Sequence, residues 1–203
     1  MLNGFVNLNN TTTTNKAEVG DGSAQLQSLV QAFSPSQRKF NNQSVNLNYS
    51  YKLNERGREI STNVDYVGYH GVTDQYLLNS IFDASNNFIS KTNLISDLPS
   101  DIDIWAVKVD YLNPLKNGGR FEAGMKSSYV NTNNIANFFD EANGSQIPNY
   151  DFSNHFSYKE NINAAYLNYN FNRKKFSFQT GLRFENTNIT GNQLGNLQRP
   201  DSS

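Results

Sequence analysis

The chain has 203 residues, with 17 Lys and Arg against 18 Asp and Glu and a net charge of -1. This balance provides no basic surface for nucleic-acid phosphates. The absence of cysteine excludes disulfide scaffolds, zinc fingers and cysteine nucleophiles. Polarity comes mainly from 33 Asn together with Ser and Thr, while aromatic residues make up 13%. Because disordered chains are poor in aromatic residues, the composition indicates a folded protein.

Membrane-spanning helices are not predicted, because no stretch of about 18 apolar residues occurs. The segment Met1–Phe5 lacks the basic and apolar regions of a signal peptide. The mean hydropathy of -0.66 is nevertheless compatible with a transmembrane β-barrel. In such a barrel lipid-facing and lumen-facing residues alternate, so the average hydropathy resembles that of a soluble protein.

Alternation of apolar and polar residues predicts β-strands. In Gln43–Leu53, Val45 and Leu47 share one face, whereas Asn46 and Asn48 share the other. The predicted lengths of about 9–11 residues exceed those of common globular strands and match tilted membrane-spanning strands. In chain order the predicted strands are Leu2–Leu8, Gln43–Leu53, Arg58–His70, Ile104–Leu112, Arg120–Val130, Ala164–Phe171 and Phe176–Glu185.

Short and long connections alternate along the chain. The tight turns are Asn54–Gly57, Asn113–Gly119 and Asn172–Lys175, and the long connections are Asn9–Asn42, Gly71–Asp101 and Asn131–Glu160, with a further one from Asn186 onward. In a meander, every second connection lies at the same end. The sequence therefore predicts an all-β, antiparallel up-and-down transmembrane β-barrel with short periplasmic turns and long extracellular loops.

The first long connection contains an apolar pattern of its own. In the segment Ala24–Phe33, Leu26, Leu29, Val30 and Phe33 have helical spacing. Either a loop helix closes over the pore, or the segment is a short packed helix or plain loop.

Several sequence segments resemble those of a known family. They are Leu98–Ile104, Val107–Tyr111, Pro114–Lys116, Phe121–Tyr129, Tyr158–Tyr166 and Gly181–Thr187. Over about Gln43–Asn196, the chain resembles the outer-membrane β-barrel domain of TonB-dependent-receptor-like proteins. The resemblance implies location in a Gram-negative outer membrane and uptake of a nutrient ligand with energy from the TonB system. It brings no catalytic residues and no cofactor.

The resemblance also implies a barrel larger than this chain, normally preceded by a plug domain and a signal peptide, neither of which is visible. Six or seven strands would leave two open edges, and unpaired backbone groups are costly in lipid. We therefore expect residues 1–203 to form one partial barrel domain, an internal fragment of roughly a third of a 22-stranded wall. The TonB system would be reached through a missing N-terminal region.

Aromatic residues on the apolar face are candidates for membrane-interface girdles, where amphipathic rings suit the headgroup level. An ordinary β-core rim would also use such residues. Candidates near the tight turns are Tyr51, Tyr111, Phe121, Tyr169, Phe171 and Phe176, and those toward the long loops are Trp105, Tyr129 and Phe184.

Charged residues on the polar face are candidates for lining the lumen, and their mixed signs predict no ion selectivity. They are Lys108, Asp110, Glu122, Lys126, Arg183 and Glu185. Lys108 with Asp110, and Glu122 with Lys126, could pair across adjacent strands. Such pairs would brace the wall or belong to a ligand site.

Enzyme and metal motifs are weak. HExxH, GxSxG, P-loop and GxGxxG patterns are absent, and Asp151, Ser153 and His155 are the only local candidate for a catalytic set. Asp97, Asp101 and Asp103 are of the type that binds calcium, but without EF-hand spacing. We expect neither an enzyme nor a metal site.

One alternative has the same alternation. A secreted soluble β-sandwich or adhesin that binds glycans would bury its apolar face against a second sheet. Strand length and the alternation of short and long connections favour the barrel.

Overall fold

The computed structural model describes residues 1–20, 25–116, 118–142, 144–173, 176–196 and 198. These residues form a single antiparallel sheet of eight strands. The strands are β1 (Leu2–Gly20), β2 (Leu26–Lys52), β3 (Glu59–Asp83), β4 (Phe88–Pro114), β5 (Gly119–Ala142), β6 (Ser145–Pro148), β7 (Asn154–Arg173) and β8 (Phe176–Gly195).

The sheet is an up-and-down meander. Its order is β1-β2-β3-β4-β5-β7-β8. The short β6 pairs with the last four residues of β5, Phe139–Ala142. Each long strand thus lies beside its neighbours in the sequence, which is the topology of a partial up-and-down barrel. The predicted all-β, antiparallel, up-and-down architecture is confirmed, and each of the seven predicted strands overlaps one long strand. Leu53 and Arg58, which end one predicted strand and begin the next, lie in the connection between β2 and β3.

Strand length differs from the prediction. β2 and β4 each contain 27 residues and β1 contains 19. Most of the expected long loops, Asn9–Asn42, Gly71–Asp101 and Asn131–Glu160, are therefore paired strand. The prediction of long loops was wrong because the polarity pattern changes along strands whose backbone pairing continues.

The expected helical segment is also strand. β2 begins at Leu26, and its residues from Leu26 to Phe33 pair with β1. Apolar residues at helical spacing then fall on both faces of the strand, and Leu29 is buried while Phe33 is exposed. Backbone pairing with two neighbouring strands outweighs the weak helical pattern. Ala24, where the predicted segment starts, lies outside the described residues.

Short turns connect β2 to β3 at one end of the sheet and β3 to β4 at the other. Between β2 and β3, the side-chain oxygen of Asn54 accepts hydrogen bonds from the backbone N–H groups of Arg56 and Arg58, and Gly57 has φ 84°. At the other end, Asp83 and Asn87 close the turn between β3 and β4. Asn117, Lys174 and Lys175, which belong to the other predicted tight turns, lie outside the described residues.

The sheet has no second layer among the described residues. Leu29 and Ala164 are the buried apolar residues, whereas Leu182 is 77% exposed and Phe184 is 72% exposed. A sandwich would bury such residues between two sheets, so the arrangement expected for the soluble alternative is not found in the part of the chain that the structure describes. None of the described residues forms a helix long and apolar enough to cross a membrane.

Candidate functional site: an apolar belt and a polar wall

Strand register extends the alternation across the whole sheet. Residues directly opposite in an antiparallel pair share a face, and Val45, Tyr66, Trp105 and Tyr129 follow one another across β2 to β5. Other rows repeat this pattern, as where Ala165 lies opposite Phe184 between β7 and β8. One side of the sheet, here called the apolar face, therefore carries a continuous band of apolar side chains.

The nine predicted girdle residues all lie on the apolar face. Tyr51 and Tyr111 lie near the tight-turn end of the sheet. Trp105 and Tyr129 lie opposite one another, and the rings of Trp105 and Tyr66 are 4.4 Å apart between centroids. Their role at a membrane interface stays a prediction.

The apolar band ends abruptly along β4. Two residues beyond Trp105 on the same face is Asp103, which accepts a hydrogen bond of 2.7 Å from the Tyr66 hydroxyl. The next outward position on β4 is Asp101, which is hydrogen-bonded to His70. The band from Val45 to Leu53 is thus about as long as a tilted membrane-spanning strand. We call this band the apolar belt and the strand parts beyond it the distal half.

The opposite side, here called the polar face, carries all six predicted lumen residues. Lys108 and Asp110 form an ion pair of 2.8 Å. The Tyr166 hydroxyl donates a hydrogen bond to Asp110, and the ring of Tyr166 lies 5.7 Å from the Lys108 ammonium. These three side chains, two from β4 and one from β7, form a connected group that reaches across β5.

The predicted pairing of these charges needs correction. Lys108 and Asp110 pair within β4 and not across strands, and Glu122 pairs with Arg120 on its own strand, not with Lys126. Lys126 lies directly opposite Lys108. Residues that are two positions apart on one strand lie on the same face of the sheet. A charged residue can therefore pair with a neighbour on its own strand instead of one on the adjacent strand. The remaining predicted residues, Arg183 and Glu185, pair with each other at 2.6 Å.

The distal half of the polar face holds an aromatic cluster that the sequence pattern did not indicate. Ring centroids are 5.9 Å apart for Phe5 and Phe40 and 5.7 Å apart for Phe40 and Tyr69. The Arg38 guanidinium lies 5.4 Å from the Phe40 ring. These residues come from three strands, and only the alignment of those strands brings them together. The alternation of residues along a single strand therefore does not predict the cluster.

The weak catalytic candidates have other partners. The hydroxyl of Ser153 accepts a hydrogen bond from the Phe138 N–H and donates to the Asn149 carbonyl at 2.7 Å. His155 contacts Asn133 at 2.5 Å. The hydrogen bond between serine and histidine that a nucleophile would need is not formed by these described side chains.

The three aspartates proposed as oxygen ligands lie at alternate positions on one face of β4. Asp101 is bonded to His70 and Asp103 to Tyr66, while Asp97 lies opposite Asp74. No group of three metal-ligating side chains occurs within the described ranges.

One solved structure is similar to most of this chain. The unliganded crystal structure of the ferric citrate transporter FecA is similar at 13% identity and a TM-score of 0.38, over 92% of this chain and 33% of that chain. The chain thus spans about a third of the length of that transporter. No curated protein matches the chain.

A family model matches most of the sequence. The model of the outer membrane protein beta-barrel family covers residues 51–202, a range that includes β3 to β8. The chain therefore belongs to the outer membrane protein beta-barrel family, and its location is the outer membrane.

Proposed function

We propose that this chain forms part of the wall of an outer-membrane barrel that takes up a nutrient. The observation that carries the proposal is the opposite polarity of the two faces within a single register. The apolar belt meets lipid, and the polar face lines a water-filled passage. The polar face carries charged side chains of both signs, such as Lys108 and Asp110, which are compatible with contact with water.

The open edges support the wall role. On β1 all residues are exposed, and on β8 nearly all are. An unpaired edge is unfavourable in hydrocarbon, since each unsatisfied backbone group costs several kcal/mol. In the membrane, further strands would pair with both edges and close the ring.

Energy from the TonB system is the finer part of the proposal. The proposal of TonB coupling rests on sequence segments such as Phe121–Tyr129, which resemble those of TonB-dependent-receptor-like proteins. The TonB contact would be made by a region outside this chain, and the ligand would be a nutrient captured on the distal side. No covalent step, cofactor or metal is part of this function.

The facing of the sheet is tested by a pair of adjacent substitutions. Val109→Arg places a charge in the apolar belt, at a cost of about 2–4 kcal/mol near the bilayer midplane. Lys108→Ala changes the polar face at the same height. We expect Val109→Arg to reduce assembled protein in the outer membrane and Lys108→Ala to leave it unchanged, as measured by heat-modifiable gel mobility. Equal assembly of the two variants would contradict the proposal.

Transport is tested separately with intact cells. Growth on a limiting nutrient is compared between cells with and without the protein, and again with the TonB system removed. We expect growth to depend on both. Growth that needs the protein but not TonB would refute the proposed energy coupling. The proposed role of the protein as a passage for the nutrient would remain.

A further inference from the structure

The aromatic cluster in the distal half of the polar face surrounds one polar side chain. Asn42 lies directly opposite Phe5 on β1 and Tyr69 on β3. Phe40 precedes Asn42 by two positions and therefore lies on the same face of β2. Asn42 is only 8% exposed. The three rings thus stand around an amide at the floor of the polar face.

The side-chain amide of Asn42 is available to a ligand. Among the described residues it has no hydrogen-bond partner, yet it is not sealed from solvent. Burial of an amide without a partner is unfavourable, so a ligand that supplies a partner gains affinity. The amide carries donors on its nitrogen beside an acceptor oxygen, and a peptide group complements this pattern.

A cation lies at the outer end of the cluster. Arg38 precedes Phe40 by two positions on the same face, and its guanidinium lies over the Phe40 ring. No carboxylate pairs with Arg38 within the described ranges. The residues directly opposite it, Asn9 and Thr73, are uncharged. Arg38 is therefore free to bind an anion, and its planar guanidinium suits a carboxylate, which it holds with two parallel hydrogen bonds.

Apolar side chains extend the cluster toward β4. Tyr69 lies directly opposite Ile102, and the next pair inward on the same face is Val67 with Ile104. All four side chains are half-buried. A ligand covered with hydroxyl groups would leave many of them unpaired against this surface, whereas an aromatic ring packs on it favourably.

We propose that the aromatic cluster binds a short peptide whose last residue is aromatic. The terminal carboxylate binds Arg38, the aromatic side chain packs against Phe40 and Tyr69, and the preceding peptide group bonds to the amide of Asn42. The cation, the ring and the amide follow one another along β2 at intervals of about 7 Å. The inference rests on the proposed function and names the class of nutrient, because it requires the polar face to line the passage.

The test measures affinity by isothermal titration calorimetry on the protein purified from outer membranes in detergent micelles. The probes are the tripeptide alanyl-alanyl-phenylalanine, the same peptide with an amidated C-terminus, alanyl-alanyl-alanine, and glucuronic acid, which is an acidic sugar. Heats measured with empty micelles are subtracted. We expect the first probe to bind more tightly than each of the other three.

Two substitutions in the cluster assign the groups of the peptide. Arg38→Gln should weaken binding of alanyl-alanyl-phenylalanine about tenfold, since a charge-assisted hydrogen bond is lost. It should also make the peptide acid and the peptide amide bind equally. Phe40→Leu keeps an apolar side chain but removes the ring, and should weaken binding about fivefold.

Matched controls separate the cluster from the rest of the wall. Lys39→Gln removes the neighbouring cation, which lies on the opposite face of β2. Phe156→Leu removes a ring from the same row of the polar face as Phe40, but on β7. Both variants should bind the peptide as the unaltered protein does.

Three results would overturn the inference. They are unchanged affinity in Arg38→Gln, an equal loss of affinity in Phe40→Leu and Phe156→Leu, and tighter binding of glucuronic acid than of the peptide. The last result would assign the cluster to an acidic sugar. Each variant is first checked for heat-modifiable mobility, so that an unfolded protein is not counted as loss of binding.

Failure of the peptide site can be distinguished from failure of the proposed function. If Val109→Arg blocks membrane assembly but peptide affinity ignores Arg38→Gln and Phe40→Leu, only the peptide site is refuted. If Val109→Arg assembles normally, the facing of the sheet is wrong, and both proposals fail.

Discussion

The ring of Tyr166 lies in the space that a side chain at Gly124 would occupy. A Cβ on Gly124 would collide with the Cζ and hydroxyl of Tyr166, and also with a carboxylate oxygen of Asp110. Gly124 is buried and stands between Asp110 and Tyr166 in one row of the polar face. The missing side chain therefore allows the tyrosine to cross a strand and reach the aspartate.

Gly124→Val is expected to displace Tyr166 from Asp110. Overpacking of this kind typically costs about 1–3 kcal/mol, to which loss of the hydrogen bond adds. Urea unfolding of the protein in phospholipid vesicles measures the change. Gly71→Ala is the control, since a Cβ there meets its nearest atom at 3.5 Å, an ordinary contact. Equal stability of Gly124→Val and Gly71→Ala would show that Tyr166 does not need the space.

Charge reversal at Lys126 is expected to stabilise the sheet. Lys126 lies directly opposite Lys108, and like charges in such positions are unfavourable by roughly 0.2–1 kcal/mol. Lys126→Glu should therefore raise the free energy of unfolding in low salt. Lys52→Glu is a control of opposite sign, because Lys52 lies opposite Glu59. If both variants change stability in the same direction, register-specific charge pairing is not the cause.

The membrane-spanning part of the fold was readable from the sequence, and the distal half was not. Within the belt, apolar side chains on one face and polar side chains on the other alternate strictly, as from Val45 to Leu53. Beyond Trp105 the apolar face turns polar at Asp103, so the pattern fades while the strand continues. There the strand is specified by backbone hydrogen bonds to its neighbours, which side-chain periodicity does not reveal.

The sequence predicted on which face of the sheet each candidate residue lies, but it did not predict which side chains contact one another. Alternation assigned Lys108 and Lys126 to the polar face, yet only the register places them opposite one another. Tyr166 reaches Asp110 only because Gly124, in the neighbouring strand, leaves room for its ring. Contacts that cross strands require the alignment of one strand with the next, and this alignment is a property of the folded sheet.

Acid is expected to loosen the turn between β3 and β4. The Asp83 carboxylate accepts hydrogen bonds from the Asn87 side chain and from the N–H groups of Asn87 and Ser85, and these bonds hold the pKa of Asp83 below its usual value. A depressed pKa means that the carboxylate stabilises the turn above its unfolded pKa, and that this stabilisation is lost as the pH falls through the folded pKa.

Hydrogen exchange checks the pH effect, with protection factors used to remove the intrinsic pH dependence of exchange. The amides of Ser85 and Asn87 should lose protection at low pH, and Asp83→Ala should remove their protection at neutral pH. Amides in the turn at Asn54 serve as the control, because an uncharged amide oxygen caps that turn. Retained protection at Ser85 in acid would contradict the role of the Asp83 charge.

The turn between β2 and β3 is expected to require a residue that tolerates left-handed backbone. Gly57 has φ 84°, and its N–H donates to the Asn54 carbonyl at 3.3 Å. A β-branched residue is strained in this region, whereas asparagine enters it more readily. Gly57→Val should therefore lower the free energy of unfolding by about 1–2 kcal/mol, and Gly57→Asn by less. Equal values for the two variants in urea unfolding would mean that the turn relaxes to another conformation without cost.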